Sequence, residues 1–100
     1  MFARVVQVPL QPGTSAEAAN YFKESVGPAL KQQDGFKNSR FLTNAETNRC
    51  LMVTLWESAE HRQGAESNGF LQGVLQDMKQ YFAGAPTIDY YEVDVQVVNN

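Results

Sequence analysis

At 100 residues the chain can bury one modest hydrophobic core and is too short for two. Its 43% hydrophobic and 19% charged residues and its formal charge of −3 describe a globular domain, without the basic excess of a nucleic-acid backbone binder and without an apolar run of membrane-spanning length. Cys50 is the sole cysteine and His61 the sole histidine, which excludes an internal disulfide and a Cys/His zinc cluster.

The opening residues run from Met1 directly into Phe2–Val8, where Val5, Val6 and Val8 favour a strand. No signal-peptide pattern precedes them, so a cytoplasmic protein is expected. Pro9 ends this strand and Gln11-Pro12-Gly13 reads as a turn. Thr14 and Glu17 have the spacing of a capping box. Ala18, Ala19, Phe22, Val26, Ala29 and Leu30 then share a helical stripe, with Pro28 predicting a kink near its end. Asp34-Gly35 stops the helix, and Phe36–Thr43 reads as a second strand.

After the polar connection 44–48, the segment from Cys50 to Trp56 is nearly continuous apolar sequence. Such a run predicts a strand covered on both faces. Ser58 is a helix cap for a short helix from Ala59 to Glu66, which Gly64 should interrupt, and Asn68-Gly69 separates it from the next one. Phe70, Leu71, Val74, Leu75, Met78 and Phe82 recur at helical spacing, and Gly84 and Pro86 lie just past them. A last strand is expected from Ile88 to Val98, with its odd-numbered valines in one row and Tyr90, Glu92 and Asp94 in the other.

The order β-α-β-β-α-β predicts one ferredoxin-like α+β domain over residues 1–100, a four-stranded antiparallel sheet with both helical segments on one face. On the third strand Leu51, Val53 and Leu55 point one way and Cys50, Met52, Thr54 and Trp56 the other, neither set polar, and Val93, Val95 and Val97 make a second apolar row on the last strand. Exposing such a row costs about 25 cal/mol per Å², so the sheet is expected to pair with that of a second copy as a dimeric α/β barrel.

Residues able to carry chemistry are few. Trp56 ends the third strand and His61 follows on the next helix, where stacking and acid–base roles are open to them. A core anchor accounts for Trp56 just as simply, and a surface residue in the first turn of an amphipathic helix accounts for His61 more simply than an acid–base role does. Arg4, Phe22, Met52 and Tyr90 are the ligand-contact candidates, while Arg40 has the alternative of pairing with Glu92 or Asp94 across the sheet. No phosphate-cradling glycine loop or dinucleotide fingerprint is present, so no cofactor and no metal is expected.

Three segments in this order carry a family likeness: Pro28-Ala29-Leu30 before Asp34-Gly35-Phe36, then Leu51 through Ser58, then Asn68-Gly69-Phe70. With them the chain resembles the antibiotic biosynthesis monooxygenase family of dimeric α/β-barrel proteins, from Phe2 to Val97. The resemblance implies a pocket between the sheet and its own helices with Trp56 near the wall. It further implies a cofactor-independent oxygenase of a small aromatic or quinol-like molecule, with Trp56 stacking and His61 helping to deprotonate. A non-catalytic binding protein for a small hydrophobic molecule, an isomerase pairing His61 with Glu57, and a haem-degrading relative are the alternatives. The family's catalytic patterns are departed from. Val6 and Gln7 stand where the haem-degrading branch has asparagine, and Met52 and Arg62 stand where the polyketide branch has asparagine and tyrosine.

Overall fold

The computed structural model describes residues 1–99. Alternating valines give β1 (Phe2–Pro9), and the apolar run gives β3 (Arg49–Trp56), between which lies β2 (Phe36–Asn44); β4 (Thr87–Glu92) comes last. The sheet is antiparallel throughout, in the order β2-β3-β1-β4. This is the ferredoxin-like α+β arrangement, with the long apolar strand and the valine strand in the middle.

Strand parity divides the sheet. Val6, Val8, Cys50, Met52 and Trp56 face the helices and form the core with Phe22, Leu30, Leu71 and Met78. The opposite parity sends Val5, Leu51 and Val53 to the other face, where they are half-buried, beside Ala3 and Leu55, which are buried. Cys50 is sealed in the core, and that burial pushes its thiol up to about 11, so it has no nucleophilic role near neutral pH.

The first helical run is less regular than its stripe suggested. It consists of α1 (Ser15–Tyr21), a π-helical stretch Phe22–Val26, and α2 (Gly27–Leu30). Pro28 has no N–H to return to the preceding turn, and the chain absorbs this through a wider register in which the Gly27 N–H bonds to the Phe22 carbonyl. The capping box expected at Thr14 is not made. The Thr14 hydroxyl donates instead to the Gln11 carbonyl at 2.7 Å, because the turn before the helix offers a nearer acceptor.

Two helices follow β3. In α3 (Ala59–Ser67) the Ser58 hydroxyl accepts the His61 N–H, and the helix continues through Gly64 where an interruption was expected. One glycine costs a helix about 1 kcal/mol, too little to break nine residues that are capped. Gly69, at φ 87, then starts α4 (Phe70–Met78), and a short 3₁₀ turn Lys79–Tyr81 ends it.

The last strand is shorter than its valines suggested. Pairing stops at Glu92, which lies opposite Phe2 at the start of β1. Val93 adds one hydrogen bond to the Met1 carbonyl, and Val95 and Val97 beyond it are 79% and 89% exposed. Nor does Arg40 pair with Glu92 or Asp94. It sits on β2, at the edge of the sheet opposite β4.

Two glycines separate backbone need from mere tolerance. Gly35 has φ 78, and a Cβ there would fall inside the His61 imidazole; Gly73 has open space around it on a helix. Gly35→Ala is therefore expected to lower stability by about 1–3 kcal/mol, and Gly73→Ala to raise it by about 0.5–1 kcal/mol. Urea unfolding midpoints check both signs.

Candidate functional site

Arg4 lies on the helix-facing parity of β1, two residues before Val6, so the strand carries a guanidinium into the core. It is 3% exposed. Its charge lies over the Trp56 ring, 5.4 Å from the centroid, an arrangement that favours a cation when water is excluded. Burial pulls the Arg4 pKa below its ordinary value, and the Glu66 carboxylate is the main influence opposing that.

That carboxylate is held by other groups. Glu66 projects from α3 and accepts the Tyr90 hydroxyl at 2.5 Å and Arg62 Nη1 at 3.0 Å. The Arg62 guanidinium in turn covers the Tyr90 ring at 4.1 Å. Arg4 Nη1 stands 3.6 Å from Glu66 Oε2, beyond hydrogen-bonding distance. It has no hydrogen-bond partner among the described residues. Thus two guanidiniums and one carboxylate meet beside a phenol, one positive charge in excess, and the most deeply buried cation has a donor to spare.

Arg4 also forms part of the wall of a narrow cleft between sheet and helices. Phe22, Val26 and Leu30 line one side of it, Phe70, Leu71 and Val74 the other, and Val6, Met52 and Thr54 its floor. Its volume is about 20 Å³, enough for about one small molecule the size of water. Thr54 is buried and its hydroxyl is engaged with that of Ser39 at 2.8 Å. Arg4 and Thr54 are the only polar side chains among the lining residues.

The candidates read from the sequence are therefore only partly brought together. Arg4, Phe22 and Met52 meet in the cleft, and Tyr90, whose Cα pairs with that of Arg4 across the sheet, reaches it through Glu66. Trp56 is fully buried behind Arg4, edge-on to Phe36, and does not line the cleft. His61 opens onto a separate surface cleft beside Gln33, Asp34 and Glu60, with Nδ1 2.8 Å from the Ser58 hydroxyl. Glu57, considered as its acid–base partner, forms an ion pair with Lys37 at 2.5 Å. Lys37 holds the Glu57 carboxyl below its usual pKa.

Arg62 and Glu66 were missed. Their spacing of four residues marks a helical ion pair, but most such pairs are solvated, and nothing local shows that this one faces a buried arginine. Among the described residues no group of three or more His, Cys, Asp and Glu is placed to hold a metal. No helix among them is long and apolar enough to cross a membrane.

The antibiotic biosynthesis monooxygenase family matches residues 1–73. The chain belongs to that family. Among solved structures, it is similar to a monooxygenase of Streptomyces coelicolor in complex with nanaomycin D, with a TM-score of 0.82 at 14% identity, covering 99% of this chain and 92% of the other. A Nitrosomonas europaea protein of unknown function has a TM-score of 0.77 at 17% identity, over 99% and 94% of the two chains. A Mycobacterium tuberculosis protein has 0.73 at 8%, over 97% and 98%. No curated protein matches the chain. At these identities the structural likenesses establish the fold.

The bond to Glu66, followed by burial, raises the Tyr90 pKa above its ordinary 10.0. A raised folded-state value means that the contribution is complete below the unfolded pKa and is lost as pH climbs through the folded one. The wild-type protein is therefore expected to lose stability above about pH 10 more steeply than Tyr90→Phe, which a series of urea midpoints at rising pH will read.

Proposed function

We propose that this protein is a cytoplasmic monooxygenase that needs no bound organic cofactor and acts on a small aromatic or quinol-like substrate held between the sheet and its helices. The observation that carries this reading is the apolar cleft ending on a buried, unsatisfied Arg4, in a chain of this family. In such a reaction the substrate supplies two electrons and two protons. One oxygen atom of O₂ enters the ring and the other leaves as water. The protein's part is to hold the ring, exclude water and position an oxygen atom.

Phe22 and Met52 contact the ring, Arg4 orients its oxygen, Tyr90 acts through Glu66, to which its hydroxyl is committed, and Trp56 acts through Arg4 as a positioning residue. His61 lies on a separate surface cleft and takes no part in this one. An aromatic ligand needs several hundred Å³, so the walls must part to admit it. The Phe22–Val26 stretch is suited to that movement, since its backbone has already left the regular helical register.

A second copy covers the outer face of the sheet. Ala3, Val5, Leu51, Val53 and Leu55 form an apolar field there, and a two-fold axis covers both fields together. Val53→Asp is expected to shift the protein from dimer to monomer in sedimentation at micromolar concentration. An unchanged species, or a monomeric wild type, rules the pairing out.

Oxygen uptake with dihydroxyaromatics and anthrones, without added flavin or metal, tests the activity. Val74→Phe should fill the cleft and lower kcat/KM by about 10-fold or more, equivalent to at least 1.4 kcal/mol of lost transition-state stabilisation. Absence of uptake by folded protein across that panel rejects the oxygenase reading.

A further inference from the structure

We infer that Arg40 and Asp89 are a self-recognition pair: each Arg40 meets Asp89 of a second copy, and the two contacts fix how the copies are oriented. The inference rests on the reading that two copies join through the outer faces of their sheets. It adds the residues that decide the orientation.

The strand register places these residues at the two ends of one row. Arg40 on β2 lies opposite Val53, Val53 opposite Val5, and Val5 opposite Asp89 on β4. Directly opposed residues share a face of the sheet, so the whole row belongs to the outer face. It is apolar in the middle, positive at the β2 edge and negative at the β4 edge. Both charged residues are exposed, and neither makes an ion pair among the described residues. They cannot meet within one chain. Three strand spacings of about 4.8 Å each lie between them.

Two copies can stack these faces about a two-fold axis in either of two directions. An axis parallel to the strands lays the row over its own reverse, with β2 of one copy above β4 of the other. Each Arg40 then stands over an Asp89, and symmetry makes the contact twice. An axis across the strands at this row sets Arg40 over Arg40 and Asp89 over Asp89, and like charges brought together in an interface are costly. The charge pattern therefore admits the first arrangement and opposes the second.

Side-chain lengths agree with this choice. Packed sheets stand roughly 10 Å apart, a gap that a long arginine from one sheet and a short aspartate from the other cover between them. The adjoining rows bring no conflict: Leu42 lies over Thr87 and Asn38 over Tyr91. Arg49, the other charged residue that the register puts on this face, lies over Pro9.

The test is the dimer dissociation constant from sedimentation. Arg40→Glu alone and Asp89→Arg alone should each weaken the dimer by about 10-fold or more, since each sets like charges together at both contacts. An equimolar mixture of the two variants should regain wild-type association, because each copy then supplies the counter-charge that the other needs. An axis across the strands predicts no change in either variant and no gain on mixing.

Unchanged association of the single variants, or a mixture no tighter than its components, overturns the inference and leaves the sheet-to-sheet dimer standing. A monomeric wild type overturns both. If either reversal fails to fold by circular dichroism, Arg40→Gln decides the matter. Added sodium chloride should weaken the wild-type dimer more than the Arg40→Gln dimer, and an equal dependence on salt overturns the pair.

Discussion

A guanidinium in the core is the constraint around which the functional half of this fold is arranged. Strand parity leaves no choice about where position 4 points: residues 4, 6 and 8 share the helix-facing side of β1, and two of them are core valines. Bringing a cation there costs several kcal/mol in desolvation unless neighbours answer it. The answers come from three directions in the sheet and the helices above it. Trp56 at the end of β3 offers its ring, α3 offers Glu66, and β4 brings Tyr90 opposite Arg4 to restrain that carboxylate. The same interaction couples α3 to the sheet edge, since Arg62 and Glu66 both engage Tyr90.

Much of this scaffold was legible because it depends on local rules. The nearly continuous apolar character of Cys50–Trp56 foretold a strand, and β3 lies between β2 and β1 in the middle of the sheet. Arg4 was conspicuous as a charge on an apolar strand. The meeting of Arg4 with Glu66 was not legible, since it depends on how α3 lies across the sheet, and an isolated Arg62–Glu66 spacing looks the same on a solvated helix. The histidine erred in the other direction. Its chemical versatility drew attention, but its ring is fixed by Ser58 and by close approach to Gly35, features of a helix start packed against a turn.

The length of the last strand was misread for a related reason. Alternating valines at 93, 95 and 97 satisfy every local preference for a strand, yet a strand also needs a neighbour. β1 begins at Phe2, opposite Glu92, so the ladder ends there whatever side chains follow. Propensity proposes a strand and the length of the partner limits it.

A hydrophobic isostere at position 4 would spare the desolvation cost, and buried ion pairs replaced in this way often leave proteins as stable or more so. The arginine is therefore poorly explained as a device for stability alone. A carboxylate fully paired with it would have served that purpose better, and Glu66 is instead held back by two other donors. An unfilled donor in an otherwise apolar cleft is an expense in the free protein that a ligand oxygen can recover.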